Sequence, residues 1–158
     1  MRLFVAIIIF TGICTCFFSC NTINVYEKNK TIKNNSWISR DIVKDSFQIT
    51  DTISYYDMYV TLRHTDAYAY NTIWLNAGMQ HPGDSMYFRK LNLTLGNDAN
   101  GWKGTGMDDI WELREKINNT PFRFRKKGIY RFSIQQVMRE DSLKGIMSVG
   151  MRLQKREQ

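Results

Sequence analysis

Between residues 55 and 64 the chain alternates: Tyr56, Met58, Val60 and Leu62 fall on one side, Asp57, Tyr59, Thr61 and Arg63 on the other. A period of two with one apolar side predicts a strand buried on one face. Residues 71–80 repeat the pattern with Ile73, Leu75, Ala77 and Met79 inward, and His81-Pro82-Gly83-Asp84 signals a turn before the next strand. Leu91, Leu93 and Leu95 alternate again, and Phe122 and Phe124 alternate with Arg123 and Arg125. After a turn at Lys126-Lys127-Gly128, Tyr130, Phe132 and Ile134 face inward. A last strand puts Met147, Val149, Met151 and Leu153 on the core side and Ser148, Gly150 and Arg152 outward. Upstream, Trp37, Ile38, Ile42, Val43, Phe47 and Ile49 supply a first strand or pair of strands ending at Asp51-Thr52. Seven or eight short strands with regularly spaced turns predict a mainly β fold, an antiparallel β-sandwich of jelly-roll-like type.

One stretch departs from this rhythm. Residues 91–117 hold four of the ten glycines (Gly96, Gly101, Gly104, Gly106) and two of the four tryptophans (Trp102, Trp111). Glycine tolerates positive φ and close backbone approach, so the density predicts a loop whose path is tightly specified. Behind it, Asp109 and Glu112 fit a capping box, Ile110, Leu113 and Ile117 share a helical face, and Asn118, Asn119 and Pro121 end the run. These signals predict one short helix near 108–118.

The first residues fix the route the chain takes. Arg2 precedes an apolar, otherwise uncharged run that ends at Ser19, too short for the ~20 residues of a membrane-spanning helix. This is the pattern of a signal peptide, residues 1–19, with Phe17-Phe18-Ser19-Cys20 resembling a bacterial lipobox in which Cys20 is acylated and becomes the first residue. Residues 20–36 are polar, rich in Asn and Lys and without sustained periodicity, so they read as a lipidated flexible tether; residues 37–158 read as a single β-sandwich domain. The run after Cys20 lacks an acidic cluster, which favours a periplasm-facing location. Cys14 and Cys16 leave with the leader, so the mature chain has no disulfide to form and the domain must stand on its core.

Removal of the leader takes one of the 22 basic residues and none of the 15 acidic ones, so the exported chain stays strongly positive. Such a surface favours anionic neighbours. In an envelope these are lipid head groups, lipid phosphates or acidic proteins, and nucleic acid is not an expected partner. Arg123, Arg125, Lys126, Lys127 and Arg131 gather as a candidate basic patch on adjacent strands across one turn. A solvated face is the plain reading, and contact with lipid or an acidic partner is the sharper one.

Candidate chemistry is sparse. His64-x-Asp66 and His81-x-x-Asp84 match no metal-ligand or triad signature, and Gly101-Trp102-Lys103-Gly104-Thr105-Gly106 lacks the lysine-serine/threonine ending of a phosphate loop. Asn97-Asp98-Ala99-Asn100-Gly101 has oxygens that could meet Ca²⁺, but the same residues make a tight turn, and no glutamate stands where an EF-hand needs one. Asp108 and Asp109 read as helix-start residues. No catalytic residue, metal or cofactor is expected, and the chain reads as a non-enzyme. Aromatic residues make up 13% of it, with Tyr59, Tyr68, Tyr70, Trp74 and Trp102 at polar-face or loop positions. These suit a protein interface, internal structure or sugar stacking. The candidate partner-binding set is Asn97, Asp98, Asn100, Trp102, Asp108 and Asp109.

Several blocks together carry a resemblance: Cys20, Tyr59-Val60-Thr61-Leu62-Arg63-His64-Thr65-Asp66-Ala67-Tyr68, Pro82-Gly83-Asp84-Ser85-Met86, Leu95-Gly96-Asn97-Asp98-Ala99-Asn100-Gly101-Trp102, Gly106-Met107-Asp108-Asp109-Ile110-Trp111 and Gly145-Ile146-Met147-Ser148-Val149-Gly150. In this order they closely resemble the GldH-type gliding-motility lipoproteins of Bacteroidetes, over essentially the whole mature chain. The resemblance implies a lipid-anchored envelope protein required for gliding and linked to the type IX secretion apparatus, with other gliding-motility envelope proteins as partners. It implies no enzymatic activity or ligand. An accessory or scaffold role is the first expectation, and a module that binds peptidoglycan or another envelope glycan is the alternative.

Overall fold

The computed structural model describes residues 24–156; the leader, Cys20 and the start of the tether lie outside them. Among the described residues the strands in chain order are β1 (Asn24–Thr31), β2 (Ser36–Ile38), β3 (Val43–Ile49), β4 (Tyr56–Thr65), β5 (Thr72–Gln80), β6 (Met86–Thr94), β7 (Gly96–Asn97), β8 (Gly101–Trp102), β9 (Thr105–Met107), β10 (Ile110–Lys116), β11 (Gly128–Gln136), β12 (Ser142–Lys144) and β13 (Ile146–Lys155). One antiparallel sheet runs β1-β13-β4-β10-β9 and a second β3-β11-β5-β6, with small ribbons β12-β2 and β7-β8 beside them.

Numbering only the eight long strands in chain order, the sheets read 1-8-3-6 and 2-7-4-5. First pairs with eighth, second with seventh, third with sixth and fourth with fifth, which is the wrap of a jelly roll. The expected fold class is therefore the observed one. β1 faces β3, where Tyr26 meets Phe47 at 5.4 Å between ring centres and Lys28 pairs with Asp45 at 2.6 Å. At the opposite side, the Arg89 guanidinium on β6 donates to the Ile117 carbonyl just past β10.

The inward positions of β4, β5, β11 and β13 fall where alternation places them: Val60, Leu62, Ile73, Leu75, Phe132, Ile134, Val149, Met151 and Leu153 are all buried in one continuous core. An aromatic cluster closes one end, with Phe124 against Tyr130 at 4.7 Å and Tyr56 at 5.1 Å. Phe124 reaches it from an extended connector rather than a strand, fixed by a single bridge between Tyr56 and Phe122. In β13 the register shifts between Ile146 and Ser148, so Ile146 takes the core position and Met147 stays half-buried.

Two expectations are corrected. The helix near 108–118 is strand β10, in register with β4 from Ile110↔Thr65 to Lys116↔Tyr59. Glu112 makes no cap; it takes Arg63 at 2.6 Å and Arg114 at 2.9 Å across the sheet surface. Alternation was present as Trp111, Leu113, Glu115 and Ile117, but the charge at Glu115 broke it and left a helical spacing more visible. Nor is all of 20–36 a tether. Residues 24–31 are β1, paired along its length with β13, and Lys33–Asn35 form a 3₁₀ turn with left-handed backbone at Asn34 and Asn35. Beyond Tyr26, which packs on the core, β1 is polar on both sides, with Lys28 held by Asp45 on one and Glu27 by Arg152 on the other, so no hydrophobic rhythm announced it.

Candidate functional site

The glycine-rich segment is an internally tied structure. β7 and β8 form a minute hairpin in which Asn97 Oδ1 accepts the Asn100 amide at 2.7 Å and Gly101 takes φ +71°. Asp98 accepts from the Asn71 side chain at 2.9 Å. Trp102 turns inward, with its ring 4.6 Å from that of His64 and 6.5 Å from that of Tyr68. Gly104, at φ +100°, lies so close to β10 that a Cβ there would sit 2.1 Å from the Glu112 carbonyl oxygen. Asp108 occupies the left-handed turn between β9 and β10, and the Asp109 carbonyl accepts the Asp66 amide at 3.0 Å. Of the six candidate partner-binding residues, Trp102 is half-buried and the other five are exposed, Asn97 and Asp98 with their side chains tied within the loop region and Asp109 engaged through its carbonyl alone.

Neither histidine meets its neighbouring aspartate as a catalytic pair would. His64 is on the inward side of β4 and fully enclosed; its Nδ1 lies 3.1 Å from the Thr65 carbonyl, and its Nε2 is buried with no hydrogen-bond partner among the described residues. Burial holds its pKa below the ordinary 6.5, outweighing the Thr65 carbonyl and the Asp66 charge. The Asp66 carboxylate instead accepts the Trp111 indole N–H at 2.7 Å. His81 lies between the Tyr87 and Tyr130 rings, 3.9 Å from Asp84, whose other oxygen takes Lys126 at 2.9 Å. Among the described residues, His, Cys, Asp and Glu nowhere gather in threes as metal ligands would.

The basic residues are brought to one end of the sandwich, though not as two adjacent strands. Arg123, Arg125, Lys126 and Lys127 belong to the connector before β11, and Arg131 to the outer face of β11 itself. Arg123 stacks on the Tyr55 ring at 4.2 Å and Lys126 pairs with Asp84. Among the described residues Arg125, Lys127 and Arg131 have no carboxylate within salt-bridge distance.

Two concavities were not foreseen. On the outer face of the second sheet, Trp74, 44% exposed, borders a groove of about 550 Å³ shared with Tyr70, Lys90, Met138 and Glu140. Between the sheets, on the side where β6 and β10 are the facing strands, a cleft of about 370 Å³ opens to Tyr87 and Arg89 and reaches Met58, Met79, Ile134 and Met151 in the core. Its side wall is fixed by Asn118, whose Oδ1 accepts the Met58 amide at 2.8 Å while its Nδ2 donates to the Tyr56 and Thr120 carbonyls. An Asn at a strand end is a legible signal for such a clamp; the cleft depends on a pairing that sequence does not display.

Residues 24–153 match the family model described as GldH lipoprotein, from the first residue of β1 to within β13. The chain belongs to that family. A gliding motility lipoprotein GldH homolog of Christiangramia forsetii is 26% identical over 98% of each chain. The gliding motility lipoprotein GldH of Flavobacterium johnsoniae is 24% identical over 89% of this chain and 90% of its own.

The GldH match coincides with the jelly roll, so β1 belongs to the shared module. The two outer faces of this module differ. On the β1-β13-β4-β10 face, charges are cross-linked, with Glu27 taking Arg152 at 3.1 Å and Arg114 at 3.7 Å, and Glu112 joining Arg114 to Arg63. On the other face Trp74 and Phe88, the latter 58% exposed, share β5 and β6 with Asn76, Lys90 and Asn92, and Phe88 lies with Met86 over Gly78.

Proposed function

We propose that this protein is a lipid-anchored, non-catalytic component of the gliding-motility machinery of the cell envelope, held through Cys20, facing the periplasm and associated with the type IX secretion apparatus. Membership of the GldH lipoprotein family over the whole sandwich carries this reading. Both relatives named above bear gliding motility in their names. The role we assign is that of a scaffold that docks other motility proteins. Its docking surface is the outer face of β5 and β6 around Phe88, a large aromatic 58% exposed there, whereas Trp102 of the glycine-rich loop turns inward against His64. Exposed aromatics ringed by polar groups are the residues that dominate protein interfaces.

The test replaces the native chain with variants in gliding cells. Cys20→Ala is expected to shift the protein out of the membrane fraction and abolish spreading, and Phe88→Asp to abolish spreading while leaving the protein folded and membrane-bound. Full spreading by both variants would refute the role.

A second reading, envelope-glycan binding, is favoured by the groove at Trp74, where an indole face and the Tyr70, Lys90 and Glu140 side chains could hold a sugar ring. Purified peptidoglycan retaining the wild-type protein but not Trp74→Ala would support it over protein docking.

A further inference from the structure

The inner face of the second sheet is built in rows. Ile73 pairs with Leu93 and Leu75 with Leu91, two rows that fill the space between the sheets. The next row is Ile134–Ala77–Arg89, where β5 offers a single methyl and β6 a guanidinium. Volume and apolar character are withdrawn together at this row, and the cleft is the result.

Its geometry is that of a slot. From β6 to β11 it crosses two inter-strand steps, roughly 10 Å, so 370 Å³ corresponds to a bore on the order of 40 Å². That is room for one extended chain of medium length. The inner end is lined by Met58, Met79 and Met151, unbranched thioethers that rotate to fit an irregular guest. At the mouth, Arg89 donates to the Ile117 carbonyl and has no carboxylate within salt-bridge distance among the described residues. Glu115, at an inward register position of β10, lies outside the cleft lining and forms no ion pair with Arg89. Tyr87 stands beside Arg89 at the rim, where its phenol hydroxyl is a hydrogen-bond donor.

We propose that this cleft binds the acyl chain of a single-chain anionic amphiphile, with its head group on Arg89 and Tyr87 and its tail running past Ala77 toward Ile134 and Met151. A planar guanidinium fork suits a carboxylate or a phosphate, and a mostly apolar slot with a few polar groups at one end suits an amphiphile. The site is separate from the outer face around Phe88.

The experiment uses the full chain in phosphatidylcholine vesicles, photolabelled with a decanoate carrying a diazirine in its tail, and in a parallel arm with a decanoyl lysophosphatidic acid carrying the same group. Peptide mapping separates label in the cleft from label near the anchor. The expected result is saturable labelling concentrated on the peptides holding Met79 and Met151. Ala77→Leu, which fills the slot, should abolish it; Arg89→Gln, verified as folded by its thermal unfolding, should weaken apparent affinity about tenfold, the scale of a lost charge-assisted pair. Phe88→Ala should change nothing. Preference for decanoate would identify a fatty-acid carboxylate as the head group, and preference for the second probe a phosphate. Label spread over exposed positions, or unchanged in both Ala77→Leu and Arg89→Gln, would overturn the proposal.

Discussion

The Trp111 indole N–H donates to the Asp66 carboxylate at 2.7 Å, and this bond ties the turn after β4 to the start of β10. The same ring lies over Gly106, where a Cβ would approach it to 2.7 Å, so Trp111 pins β9 as well. Asp66→Ala should therefore cost about 1 kcal/mol, the net worth of an ordinary hydrogen bond, and Trp111→Ala about 3 kcal/mol or more, since ring packing is lost too. Thermal unfolding of the two variants checks the order.

Glycines here differ in what they make possible. Gly104→Ala meets the Glu112 carbonyl in a left-handed backbone, and Gly150→Ala meets the Lys28 carbonyl at 2.1 Å, so both should destabilise by about 3 kcal/mol or more. At Gly83, also left-handed, nothing lies within 4 Å, and alanine should cost only about 1 kcal/mol. Hydrogen exchange should report β1 peeling from β13 in the Gly150 variant and not in the others.

His64 gives the fold a mild acid weakness. Its folded-state pKa is depressed, so the unfolded chain binds the proton more readily, and stability present above pH 6.5 is lost as pH falls below that value. Denaturant unfolding at pH 7.5 and 5.5 should show a drop for the wild type that is absent in His64→Gln. An identical drop in both would mean that other groups carry it.

Asp57 supplies a second, lower limb. Burial works against its charged form, yet Lys116 at 2.8 Å and Arg156 at 2.8 Å more than offset this and hold its pKa below 3.8. Its contribution is present above that value and lost as pH falls further. Asp57→Asn should cost about 1–3 kcal/mol at neutral pH, less than a fully buried pair because Arg156 is partly solvated, and should flatten the stability profile below pH 4.

These residues also mark how far sequence reading reaches. β4, β5, β11 and β13 were legible because one face is apolar and the other is not, and the jelly-roll class followed from their number and spacing. β10 was misread because Glu115 holds an inward position and Ile110, Leu113 and Ile117 imitate a helical stripe; pairing with β4 overrode that local preference. β1 was missed because its neighbours across the sandwich satisfy it with charges. Trp102 looked like an exposed loop aromatic, and only the inward turn of His64 on β4 shows where its ring goes. The cleft arises from Ala77 and Arg89, twelve positions apart and juxtaposed solely by β5–β6 register. Nothing local predicts such a pairing.

The docking role stands or falls on what touches the Phe88 face in living cells. A photoreactive residue at position 88, with position 102 as an inward-facing control, would be activated in gliding cells and the products mapped. The expected outcome is a discrete crosslink from 88 to a motility or secretion protein, lost when Trp74 is changed to Asp, and none from 102. Silence at 88, or capture of glycan alone, in cells that glide normally would contradict the scaffold role.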